Sequence, residues 1–135
     1  MKKIISLGMF LLLIISLFAC DSSKIDVGTE NGVAYFHYSQ NLPKIILSGE
    51  TDKAVDNTDF FVKLRTAIDG KSAIDSVCNC EPLYVVRIDK YTFGLHTHGI
   101  TVTYPAGRNI KAKIIFSVEC SEEEMGEMIG ILESE

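Results

Sequence analysis

Two pairs of side chains with metal chemistry stand close together in this sequence: Cys78 with Cys80, and His96 with His98. Thiolate and imidazole are the ligands of zinc and copper centres, and two of each complete a tetrahedral set. Side chains two apart on a strand point to the same face. Each pair can therefore act as a unit, but one centre forms only if both pairs reach the same side of a sheet. The elements that carry them decide this.

The stretch between the pairs reads as a hairpin. Tyr84, Val86 and Ile88 are apolar, and so are Tyr91, Phe93 and Leu95 on the return. A two-residue turn at Asp89-Lys90 pairs Ile88 with Tyr91, Val86 with Phe93 and Tyr84 with Leu95, placing all six on one face. Continued, this register puts Cys78 and Cys80 on the core face, with Pro82 able to end the ladder before them. It puts His96 and His98 on the other face, beside Thr92 and Arg87. A one-residue slip would unite the pairs but would bury Arg87 or expose half the core. The apolar positions are odd up to Leu95 and even at Ile100, Val102 and Tyr104. The phase changes within residues 96–99, and a β-bulge at Gly99 would account for it. This irregular segment is where function is expected.

The first twenty residues are MKKIISLGMFLLLIISLFAC. Two lysines, an apolar run and a small residue before Cys20 have the layout of an export signal, and the run is short for a membrane span. Leu17-Phe18-Ala19-Cys20 resembles the lipobox of bacterial lipoproteins. That resemblance implies cleavage before Cys20, diacylglycerol on its thiol and an acylated amine. Residues 1–19 would then be the signal peptide. The chain would sit on the extracytoplasmic face of the cell membrane, periplasmic in a Gram-negative cell, with the lipid bilayer as its first partner. Two or three acyl chains anchor stably where one does not.

Outside the reducing cytosol the remaining cysteines can oxidise. The apolar phase of residues 110–120 puts Cys120 on the inward face, so a disulfide from Cys78 or Cys80 to Cys120 fits the pattern. It would close a loop of about forty residues and contribute about 2–4 kcal/mol. A bridge between Cys78 and Cys80 must fold back over one residue and is strained. Either arrangement leaves one thiol over.

Without Lys2 and Lys3 the chain has 11 basic and 18 acidic side chains. Residues 119–135 hold seven glutamates and no cation, so the acidity belongs to the C-terminal segment. No basic footprint for nucleic acid is present, nor a basic face for anionic lipid.

Residues 20–32 are expected to be the lipidated cysteine and a flexible tether, and residues 33–135 a single domain. VAYFHYS and KIILSG read as strand, turn, strand. Asn57 or Thr58 caps a helix whose Phe60, Phe61, Leu64, Ala67 and Ile68 share a face, with Gly70 as its stop. A meander of three or more strands follows. Ser121 with Glu124 forms a capping box for a last helix with Met125, Met128, Ile129 and Leu132 as its stripe. The expected class is α+β: an antiparallel sheet of about five strands with two helices on one face.

His-Thr-His-Gly resembles the first-strand metal motif of the amidohydrolase superfamily, but this domain is too short for that family's barrel. No Ser-His-Asp or Cys-His arrangement can be assembled. The expected function is a non-catalytic binding module without cofactor, meeting an envelope or incoming protein as immunity-type lipoproteins do. The alternative is a zinc- or copper-binding lipoprotein using His96, His98, Cys78 and Cys80.

Overall fold

The computed structural model describes residues 25–39, 41–77, 80–104 and 113–135. The expected signal peptide, the acylation site at Cys20 and Cys78 lie outside them. The elements in chain order are β1 (Ile25–Glu30), β2 (Val33–Tyr38), β3 (Ile45–Ser48), β4 (Lys53–Val55), α1 (Thr58–Ile68), β5 (Tyr84–Ile88), β6 (Tyr91–Leu95), β7 (Gly99–Tyr104), β8 (Lys113–Glu119) and α2 (Glu122–Ser134). Six strands form one antiparallel sheet in the order β4-β3-β5-β6-β7-β8, and β1 pairs with β2 as a separate hairpin. The protein is α+β as expected, with six strands in the main sheet and two in the hairpin. Among the described residues no helix is long and apolar enough to cross a membrane.

The β5–β6 register is the expected one: Ile88 faces Tyr91, Val86 faces Phe93 and Tyr84 faces Leu95. Val86, Ile88, Phe93 and Leu95 are fully buried. Helix α1 starts at the expected cap, with the Asn57 side chain accepting the Phe60 amide proton at 3.0 Å. Its buried stripe is Phe60, Phe61, Leu64, Ala67 and Ile68. Helix α2 begins with the expected capping box between Ser121 and Glu124. The helices lie side by side, tied by Lys63–Glu127 at 3.2 Å and Lys71–Glu124 at 3.1 Å. Burial alone would raise the Glu124 carboxyl, but the Ser121 amide and the Lys71 ammonium hold it below its ordinary value.

The stretch expected as tether is largely strand. Ile25–Glu30 is β1, and its Ile25 and Val27 are buried. Asn31 and Gly32 both have positive φ, 53° and 79°, as a two-residue hairpin turn of right-handed twist requires. The β2 strand therefore pairs with β1 and not with KIILSG, which joins β4 and β5 in the main sheet. The hairpin closes the core beside α1. Phe36 stacks on Phe93 of the sheet at 5.9 Å and meets Phe61 of α1 edge-on at 5.6 Å.

The phase change of the buried positions has a different cause from a bulge at Gly99. Strands β6 and β7 are two arms of a hairpin in which Leu95 faces Ile100. An odd position thus faces an even one. The register shift of this region lies between Val102 and Thr103, where β8 carries an additional residue, Ile115. At the rim of the sheet the backbones of Ile74 and Ser117 exchange two hydrogen bonds, at 2.8 and 2.7 Å.

Candidate functional site

Helices and hairpin cover one face of the main sheet. On the other lies a cleft of about 270 Å³, lined among others by Cys80, Pro82, Thr92, Gly94, His96, Thr101, Thr103 and Ile114. Strand alternation positions most of the lining. Thr92 and Gly94 alternate with core residues Tyr91, Phe93 and Leu95, and Thr101 alternates with Ile100 and Val102. The chain before β5 forms one wall. Pro82 lies over Gly94, where a Cβ would sit only 3.3 Å from the proline ring. Glycine at 94 is what lets this segment come so close.

His96 forms the inner end of the cleft and is 5 % exposed. Its Nε2 lies 3.1 Å from Thr101 Oγ1, and the Ser117 hydroxyl donates to the same oxygen at 3.2 Å. A hydroxyl donates one proton and accepts through two lone pairs, so Thr101 can serve either tautomer of the neutral imidazole. Nδ1 lies 3.6 Å from the Cys80 sulfur. Burial lowers the His96 pKa below its ordinary value.

This arrangement has a pH signature. Below about pH 6.5 the unfolded chain protonates this histidine while the folded chain resists. Stability linked to His96 is therefore present at neutral pH and is lost as pH falls from the unfolded towards the folded pKa. Urea midpoints measured from pH 7 to pH 5 should fall less for His96→Gln than for the parent. Parallel curves would contradict a buried neutral imidazole.

The two pairs of potential ligands are divided otherwise than their spacing suggests. Cys80 and His96 meet on the same, helix-free face. Cys80 does not follow the β5 register, because the ordered strand begins only at Tyr84 and the preceding segment crosses over the sheet. His98 is parted from His96 by the turn. It is exposed and lies 3.9 Å from Glu122 at the start of α2. Among the described residues no group of three or more His, Cys, Asp or Glu is placed to hold a metal ion. Cys80 is disulfide-bonded, so its sulfur is not a thiolate ligand.

A disulfide to Cys120 is overturned. Cys120 is a free, buried thiol, and it donates to the Ala67 carbonyl of α1 at 3.6 Å. It faces the helices, while Cys80 lies across the sheet. Burial pushes the Cys120 thiol up to about 11, with Lys71 lowering it a little and Glu124 raising it. Such a thiol is almost entirely protonated at pH 8 and unreactive. Iodoacetamide at pH 8 without reductant should leave the Cys120 peptide unlabelled in the folded protein and label it fully in guanidinium. Fast labelling of the folded protein would place that sulfur at the surface.

Sequence reasoning picked out His96, Cys80 and Thr92 but missed Thr101 and Thr103. The three threonines occupy the non-core phase of adjoining strands, a phase that also carries Arg87 opposite Thr92. The chain matches no protein-family model, no curated protein and no solved structure.

Proposed function

We propose that the protein is a lipid-anchored, extracytoplasmic binding module without catalytic chemistry. Its recognition surface is the helix-free face of the main sheet around His96. The observation that carries this is the character of the cleft: among the described residues that line it there is no aspartate, glutamate, lysine or arginine. Threonine hydroxyls, a neutral imidazole, a proline ring and Ile114 suit an uncharged side chain with one hydrogen-bonding group. The partner is an envelope protein, or one arriving from outside, that inserts such a side chain. The LFAC segment supports the anchor, and the Cys80 disulfide suits an oxidising compartment.

A photo-crosslinking amino acid placed at Thr103 in growing cells tests the reading. A discrete adduct is expected at Thr103 and none at Val62, which is exposed on α1. Filling the cleft with Thr92→Leu, a half-buried strand position in its lining, should remove the adduct without unfolding the protein. Equal crosslinking at both positions, or none at Thr103, would sink the assignment of this face. Cys20→Ser should move the protein from the membrane to the soluble fraction, and its retention in the membrane would refute the anchor.

A further inference from the structure

Cross-strand pairing lays out the floor of the cleft in rows. One row runs Arg87, Thr92, Thr103, Ile114 across β5, β6, β7 and β8. The next runs Val85, Gly94, Thr101, Ser117. In the second row the two hydroxyls are engaged with each other and with His96. In the first row they are not. Thr92 and Thr103 are half-buried and line the cleft, and among the described residues neither hydroxyl takes part in a hydrogen bond.

Directly opposed residues of an antiparallel pair hold their Cβ atoms about 5 Å apart. At that spacing one planar group laid across the strands reaches both hydroxyls, provided it has two polar atoms on one edge. A main-chain peptide does not, because its trans C=O and N–H point to opposite sides. A carboxylate, a guanidinium and a primary carboxamide do. The hydroxyls accept any of the three, since each can donate or accept. Charge separates them. Arg87, the neighbour of Thr92 in the row, is already paired with Asp52. A carboxylate would have to displace Asp52, and a guanidinium would stand beside Arg87. A half-buried charge without a partner is costly, whereas a carboxamide with both polar atoms bonded is not. It accepts from one threonine and donates to the other.

We infer that Thr92 and Thr103 together recognise the carboxamide of an asparagine or glutamine side chain on the partner. The inference rests on the cleft being the docking site, as proposed above, and names the group that enters it. Ile114 at the end of the row and Val85 in the next offer apolar surface to the methylene stem of that side chain. Selectivity comes from the pair. A side chain of the same shape without polar atoms would cover both hydroxyls and leave both unsatisfied.

Propionamide carries the terminal group of a glutamine side chain and serves as the probe. Propionate, ethylguanidinium and butanone are its anionic, cationic and non-donating counterparts. Each is titrated into the isotope-labelled full chain in detergent micelles, and the backbone amide resonances are followed. Propionamide should shift the Thr92, Gly94 and Thr103 amides saturably and bind at least about tenfold more tightly than the other three. Thr92→Val and Thr103→Val keep the shape and remove a hydroxyl, so each should weaken propionamide about tenfold. Thr92→Ser and Thr103→Ser should retain it. Equal binding of propionamide and butanone, tighter binding of either ion, or no saturable shift with any probe would overturn the inference. The crosslink at Thr103 traps even a weakened encounter covalently. Its presence beside such a result would leave the cleft as the docking site and remove only the carboxamide, whereas its absence would remove the docking site as well.

Discussion

Replacing Phe36 with alanine should cost about 3–5 kcal/mol, a large part of the roughly 5–15 kcal/mol that holds a domain of this size together. Phe36 is fully buried and is the point where three elements meet: its own hairpin, Phe61 of α1 and Phe93 of the sheet. No neighbour can fill the void without leaving its own partners. The backbone around it would survive at first. The Phe36 amide donates to Asp69 Oδ1 at 3.0 Å, and Arg65 Nε donates to the Phe36 carbonyl at 3.1 Å. The β1–β2 amides should therefore lose hydrogen-exchange protection before those of β5 and β6. A urea midpoint shift worth less than about 1 kcal/mol would show that the hairpin is an accessory and not part of the core.

The second large effect is expected at Gly99. A methyl group there would run into the Val118 carbonyl oxygen of the neighbouring strand and come within 2.9 Å of a Val77 methyl. Backbone cannot swing aside as a long side chain can, so Gly99→Ala has to spread β7 from β8. Overpacking of this kind costs about 1–3 kcal/mol, and a backbone clash belongs at the upper end. Gly126 makes a control of opposite sign. It lies on the exposed side of α2 with nothing near its Cβ position, so Gly126→Ala should stabilise by about 0.5–1 kcal/mol. Thermal midpoints of the two variants moving in the same direction would refute the assignment of Gly99 to a close backbone approach.

These two residues also mark where sequence reasoning succeeds and where it stops. Helix α1, the capping box of α2 and the β5–β6 register were legible because each is decided by neighbours within a few positions. The β1 strand was not. IDVGTE has two large apolar residues in six and reads as linker by composition. Only the Asn31-Gly32 turn behind it betrayed a hairpin, because both positions need positive φ. The cleft was half legible. His96 was singled out by the phase change beside it, though the cause is a hairpin turn and not a bulge. Cys80 was misplaced because residues 70–83 have no periodicity. Contacts remote in sequence fix their path: Pro82 over Gly94, and Val77 beside Gly99.

The rim of the main sheet has a consequence for how copies of this protein meet. β8 is its longest strand, and an edge strand of seven residues offers a template for another chain. Here the edge is interrupted twice. Ile115 breaks the register near one end, and Ile74 takes both backbone groups of Ser117 near the other. The opposite rim, β4, is only three residues long and begins with Lys53. Neither rim presents an unbroken ladder, so two copies brought side by side have little to zip together, and the sheet ends with the molecule.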